Sequence, residues 1–126
     1  MPTQKREIYK CEICGNIVEV LHEGAGQLVC CGESMKLQEE NSEGKYAEKH
    51  APIIEENEEG VLVKVGAVEH PMESDHYIEW IEISTEKGES KKFLKPGEKP
   101  QALFPVKAKI ISARMYCNLH GLWKSK

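Results

Sequence analysis

Four of the five cysteines in this 126-residue chain lie between positions 11 and 31. Cys11-Glu12-Ile13-Cys14-Gly15 is a C-x-x-C-G knuckle: two intervening residues let both sulfurs reach one ion, the turn aims backbone N–H groups at them, and the glycine lets the chain reverse. Cys30-Cys31-Gly32 completes a set of four, the ligand count of a tetrahedral thiolate site. Adjacent cysteines are awkward for an ordinary zinc ribbon, because neighbouring side chains diverge and must be bent onto one ion. Sulfur ligands alone do not separate zinc from iron, and a vicinal Cys30–Cys31 disulfide is the alternative without a metal.

Four of the five histidines sit beside turn or breaker residues further on: Glu48-Lys49-His50-Ala51-Pro52, His70-Pro71-Met72, Asp75-His76-Tyr77 and Cys117-Asn118-Leu119-His120-Gly121. Cys117 and His120, three apart and followed by glycine, can bind one ion from a single tight turn. Taken singly, each histidine reads as a solvated loop residue and Cys117 as a small buried hydrophobe. Together they favour a second metal. Four imidazoles and a thiolate exceed the four ligands at which zinc saturates, whereas iron accepts five and keeps a sixth position for a small ligand. A thiolate on iron pushes electron density through the metal, as in cysteine-ligated haem, which suits a bound oxygen species. His22, away from these loops, is left without a role.

The elements that must gather these loops are strands. In Val61-Leu62-Val63-Lys64-Val65-Gly66-Ala67-Val68 apolar residues occupy every odd position, and in Phe104-Pro105-Val106-Lys107-Ala108-Lys109-Ile110 every even one. Both are expected as half-buried strands. Tyr77-Ile78-Glu79-Trp80-Ile81-Glu82-Ile83 is a third, with a slip near Trp80-Ile81 of the kind a bulge causes. Turns are expected at Asn57-Glu58-Glu59-Gly60, Glu86-Lys87-Gly88-Glu89 and Lys95-Pro96-Gly97-Glu98. A helical turn is expected only over Arg6 to Lys10 or in the last ten residues. Residues 45–126 therefore read as an antiparallel sandwich of about seven strands. The polar stretch Gln38 to Gly44 reads as a linker, within an acidic region (residues 38–60) of eight Glu against Lys45 and Lys49. Residues 1–37 are too few for a self-sufficient core, so that piece needs a metal or a partner chain.

Composition narrows the function classes. Seventeen Lys and Arg against 21 Asp and Glu leave a net charge of −4, with no excess positive charge to displace counterions from nucleic acid or to hold an anionic membrane. The longest apolar run, Ala102 to Val106, is far short of the roughly 20 residues that cross a bilayer, and Met1 to Arg6 leads into no apolar signal core. The expectation is a soluble, cytoplasmic protein whose odd number of cysteines serves as reduced ligands rather than a disulfide framework.

The motifs resemble one family. Cys11-x-x-Cys14-Gly15-Asn16-Ile17-Val18-Glu19-Val20, Leu28-Val29-Cys30-Cys31, Glu48-Lys49-His50, His70-Pro71-Met72, His76-Tyr77-Ile78-x-Trp80-Ile81, Phe93-Leu94-Lys95-Pro96-Gly97 and Tyr116-Cys117-Asn118-x-His120-Gly121 are similar to those of the desulfoferrodoxins, the two-iron class of superoxide reductase. The resemblance implies a desulforedoxin-like N-terminal domain (1–37) with a rubredoxin-type Fe(Cys)4 centre on Cys11, Cys14, Cys30 and Cys31. It implies an immunoglobulin-like C-terminal domain (45–126) with an Fe(His)4(Cys) centre, and a homodimer. His50, His70, His76 and His120 would be equatorial ligands, His120 through its other ring nitrogen, and Cys117 the axial one. Lys49 corresponds to the cationic residue over the open face, and Glu48 to the carboxylate that closes on the oxidised iron.

Two departures from the family pattern touch no ligand. Met115 stands where Arg-Glu-Tyr-Cys is usual, and Ser74-Asp75 precedes His76 in place of Glu-Lys. The implied activity is one-electron reduction of superoxide to hydrogen peroxide without release of dioxygen, detoxifying superoxide in an anaerobe or microaerophile. Rubredoxin or a similar small carrier would be the electron donor. The rival reading is an electron-transfer or iron-binding protein without turnover, whose second iron would be saturated; a purely structural zinc protein is a weaker third.

Overall fold

The computed structural model describes residues 2–44 and 46–125. The chain divides between Glu39 and Glu40 into two compact units. In the first, β1 (Ile8–Lys10) lies between β2 (Ile17–Glu19) and β5 (Lys36–Gln38), both antiparallel to it, while β3 (Val29–Cys30) and β4 (Glu33–Ser34) form a separate hairpin. Its buried apolar residues, among those described, are Ile8, Cys11 and Val20. Three side chains of this size bury too little apolar surface to order a unit of this length, so the cysteine cluster has to contribute the rest.

The second unit is a sandwich of seven strands among the described residues. One sheet has the order β10 (Gln101–Phe104), β7 (Gly60–Val65), β6 (Pro52–Asn57); the other runs β12 (Gly121–Lys124), β11 (Ile110–Cys117), β8 (Ile78–Thr85), β9 (Gly88–Phe93). Val61, Val63, Val65, Ala102 and Phe104 from the first sheet meet Ile78, Ile81, Ile83, Ala113, Met115 and Trp123 from the second. The bulge falls at Glu79: Tyr116 opposes Trp80 and Cys117 opposes Ile78, so Glu79 has no opposite number and both Ile78 and Ile81 face the core. The other face of this sheet is also buried at its centre. Trp80 stacks on Tyr116 at 4.8 Å, and Arg114 pairs with buried Glu82 at 2.9 Å. Met115 is 0% exposed within the core, so a polar side chain at this position would face hydrocarbon rather than the loops.

Two expectations are corrected. Phe104 to Ile110 is not one strand: β10 stops at Phe104 and β11 starts at Ile110. Pro105 has no N–H for a ladder, and the Val106 N–H turns back onto the Phe104 carbonyl at 2.7 Å, carrying the chain from one sheet to the other. Val106 and Ile110 still pack against the core, which is why the alternation looks like a strand. The helical turn lies at neither expected place; Arg6 to Lys10 runs into β1, and the last ten residues hold β12. It is α1 (Ala47–His50), built from good helix formers and stopped by Pro52, which holds Ala51 extended at φ −64°, ψ 121°. Within the stretch 38–44 several described residues are engaged. Gln38 ends β5, Glu40 reaches Arg114 at 2.9 Å, and Asn41 bridges to Trp123 in parallel register. The expected start of the sandwich, Lys45, lies outside the described residues.

Candidate metal centres

In the first unit Cys11, Cys14, Cys30 and Cys31 bring their sulfurs within 4.8 Å of one another. The knuckle turns as its motif demands: Gly15 takes φ 87°, its N–H bonds the Cys11 carbonyl at 2.9 Å, and the Cys14 N–H points at the Cys11 sulfur at 3.4 Å. The backbone itself overcomes the divergence of neighbouring cysteines. Cys31 adopts φ 53°, in the left-handed region that side chains rarely enter, and its sulfur comes within 3.9 Å of the Cys30 sulfur. Cys14 and Cys30 sulfurs are 3.5 Å apart, and all five cysteines are free thiols. The Cys14 and Ile13 N–H groups draw the Cys11 thiol down to about 6. Cys31 is pushed up to about 12 by the thiols of Cys14, Cys11 and Cys30. Four sulfurs this close cannot all ionise beside one another, and a cation at their centre removes that obstacle.

In the second unit one end of the sandwich gathers His50, His70, His76, Cys117 and His120, whose donor atoms all lie within 4.8 Å of one another. Each comes from a different strand terminus or the loop beside it. His50 closes α1 ahead of β6, His70 and His76 lie between β7 and β8, Cys117 ends β11, and His120 sits in the turn to β12. The His50 and His70 Nδ1 atoms are tied to the carbonyls of Tyr46 at 2.8 Å and Pro71 at 2.6 Å. Those bonds make Nδ1 the protonated nitrogen and leave Nε2 lone pairs facing inward, 2.9 Å apart. His120 turns the other nitrogen in: its Nδ1 is 3.2 Å from His50 Nε2 and 3.8 Å from the Cys117 sulfur. Closeness to Cys117 in sequence dictates this, because the short turn brings the near side of the ring to the sulfur. His76 Nε2 is buried with no hydrogen-bond partner.

That orphaned nitrogen tests the fit of a metal: burying an imidazole lone pair unpaired is costly unless an ion takes it. Burial lowers the pKa of His50, His70 and His120, that of His70 to about 4, so neutral imidazoles are available to bind. Burial pushes the Cys117 thiol up, opposed by the Leu119 and His120 N–H groups on its sulfur. Aromatic faces hold the rings in place. Tyr46 stacks on His120 at 4.2 Å and Trp123 on His50 at 5.2 Å. Neither contact is visible in a spacing pattern, since Tyr46 and Trp123 meet their histidines only through the fold.

Glu48 and Lys49 are exposed on α1, one helical step from buried His50. An open groove is lined by Lys49, Glu69, His70, Met72, Glu98 and Lys99, so the Lys49 side chain and a candidate ligand share one surface. The turn that carries them is clamped from outside. The Ala67 N–H bonds the Glu48 carbonyl at 2.8 Å, and a Cβ on Gly66 would stand 2.5 Å from the Lys49 carbonyl. His22 is exposed and joins neither cluster.

Sequence models of two domain families match: "Desulfoferrodoxin, N-terminal domain" over residues 3–38 and "Desulfoferrodoxin" over 42–126. The chain is 57% identical over 126 residues to a desulfoferrodoxin of Nitratidesulfovibrio vulgaris, covering 100% of this chain and 99% of that one. It is 54% identical over 123 residues to a desulfoferrodoxin of Syntrophotalea carbinolica, covering 98% of each. The crystal structure of the superoxide reductase from Treponema pallidum superposes with a TM-score of 0.75 at 29% identity, covering 95% of this chain and 96% of that one. The four-sulfur and four-imidazole-plus-sulfur donor sets match the two iron sites of such proteins. Among the described residues no helix is long and apolar enough to cross a membrane.

Proposed function

The chain belongs to the desulfoferrodoxin family, and on that footing we propose that it is a superoxide reductase, converting superoxide, one electron and two protons to hydrogen peroxide without forming dioxygen. The observation that carries the reading is the convergence of four inward imidazole nitrogens and the Cys117 sulfur, with His76 Nε2 buried and unpartnered. These five donors would hold iron, which when ferrous would supply the electron. His50, His70, His76 and His120 hold it as neutral ligands, and the Cys117 thiolate enriches it in electron density. Lys49 attracts the superoxide anion along the groove it shares with His70 and organises a proton-donating water. Glu48 is the carboxylate that closes over the site after turnover.

The four cysteines of the N-terminal domain, which we place at residues 1–37, would hold the other iron, which staples the fold. A rubredoxin-like carrier restores the ferrous state, and the working form is a homodimer in the cytoplasm, where free thiols persist. Rapid mixing of the reduced protein with superoxide tests the reaction. Oxidation of the second site with stoichiometric peroxide and no dioxygen is expected. Dioxygen release would mark a dismutase instead, whereas a reduced site indifferent to superoxide and to added cyanide would point to an electron-transfer or iron-binding protein.

A further inference from the structure

Three of the four histidines have anchors of their own. His50 and His70 are held by Nδ1 to backbone carbonyls, and His120 stacks on Tyr46 within the short turn that also carries Cys117. Among the described residues no hydrogen bond holds the His76 ring, and its neighbours in space are the rings of His70 at 4.7 Å and His120 at 5.2 Å. His76 belongs to a small loop closed on itself, in which Glu73 and His76 exchange backbone hydrogen bonds of 2.9 and 3.1 Å around exposed Ser74 and Asp75. Such a loop fixes its own shape but not its distance from the other ligands.

The link is Asn118. Its Oδ1 accepts the Tyr77 N–H at 2.9 Å and its Nδ2 donates to the Asp75 carbonyl at 3.0 Å, so one amide grips the backbone on both sides of His76. Its own N–H adds a bond to the Tyr77 carbonyl at 3.2 Å. Asn118 stands between Cys117 and His120, in the turn that carries two other candidate ligands. We infer that Asn118 is a positioning residue, which sets His76 in the metal sphere by fastening its loop to the Cys117–His120 turn. Only an amide of this length presents an acceptor and a donor to the two flanking peptides at once. Aspartate keeps the acceptor and loses the donor, and alanine loses both.

The inference rests on the metal-site reading above, and its test separates the two. Cobalt(II) loaded into the second site of the full chain shifts the exchangeable imidazole N–H proton resonances of its ligands, so each bound histidine can be followed. Wild type should show all four. Asn118→Ala should lose or broaden the His76 signal alone, bind cobalt about 10-fold to 100-fold more weakly, as disturbed outer-shell partners do, and exchange the Tyr77 amide faster in the metal-free state. Asn118→Asp should fall between. His76→Ala should reproduce the alanine variant, and adding Asn118→Ala to it should weaken binding no further, which a general loss of structure would not mimic. Asn118→Ala with four intact signals and wild-type affinity overturns this inference alone; a wild-type chain that takes up no metal at this site overturns both readings.

Discussion

Among the described residues, the apolar side chains buried in the first unit are Ile8, Cys11 and Val20, and one of those three belongs to the sulfur cluster itself; the second has thirteen buried residues in one continuous core, with its candidate ligands at one end. In the first, Cys11 is a core residue and a candidate ligand at once, and so small a core makes folding and metal binding expected to be one event. In the second the core is built by the strands, and the candidate ligands are carried at their ends. A small unit can thus be rigid around a closed site with little hydrophobic support.

Removing the metal from the four-cysteine site, or making Cys14→Ser, is the harshest challenge to this contrast. Structural metal sites of this kind contribute roughly 10–16 kcal/mol to folding, so the amide protection of Ile8–Lys10 should vanish while that of Ile81 and Ile83 persists. Protection retained in β1 after complete metal removal would mean that the first unit has a core of its own. Next in size is Ile83→Ala, which leaves a cavity in the sandwich and should cost about 2–5 kcal/mol in denaturant unfolding of the second unit. Below that transition the visible spectrum of the four-cysteine site should not change; if it did, the two units would not fold independently.

Smaller effects belong to the open end. Lys49→Ala should slow the bimolecular reaction with superoxide about tenfold and flatten its salt dependence, because an acidic chain attracts an anion only through cations within a screening length of about 8 Å. A rate and salt slope equal to wild type would remove Lys49 from the mechanism. Smallest is Glu40→Gln. Its carboxylate is partly exposed, and Arg114 keeps its buried partner Glu82, so the midpoint of unfolding should move by no more than about 1 kcal/mol. A loss several times larger would show that the strand-like segment Glu40–Asn41 is part of what holds the sandwich together.

Much of the site was legible because its chemistry resides in residue types at fixed short spacings. Cys11 with Cys14 and Cys117 with His120 each declare a shared ion, and Val61, Val63 and Val65 declare a buried face. The misread strand over Phe104 to Ile110 shows the limit of periodicity, since alternate burial also arises where a chain crosses from one sheet to the other. Four-residue α1 is too short to carry a period at all. No spacing pattern pairs Glu82 with Arg114, 32 residues apart in sequence, yet the two are buried together.

By itself the sequence determined the inventory: two donor sets, their likeness to one family, and a β-sandwich to carry the second. Local geometry suffices for these, because a knuckle or a strand needs only its own residues. The grip of Asn118 on both flanks of His76 and the stacking of Tyr46 on His120 and of Trp123 on His50 were decided by tertiary structure alone. They depend on hydrogen bonds and ring contacts between segments distant in sequence, Asn118 and Asp75 alone lying 43 residues apart, and no local pattern encodes a partner that only folding brings near.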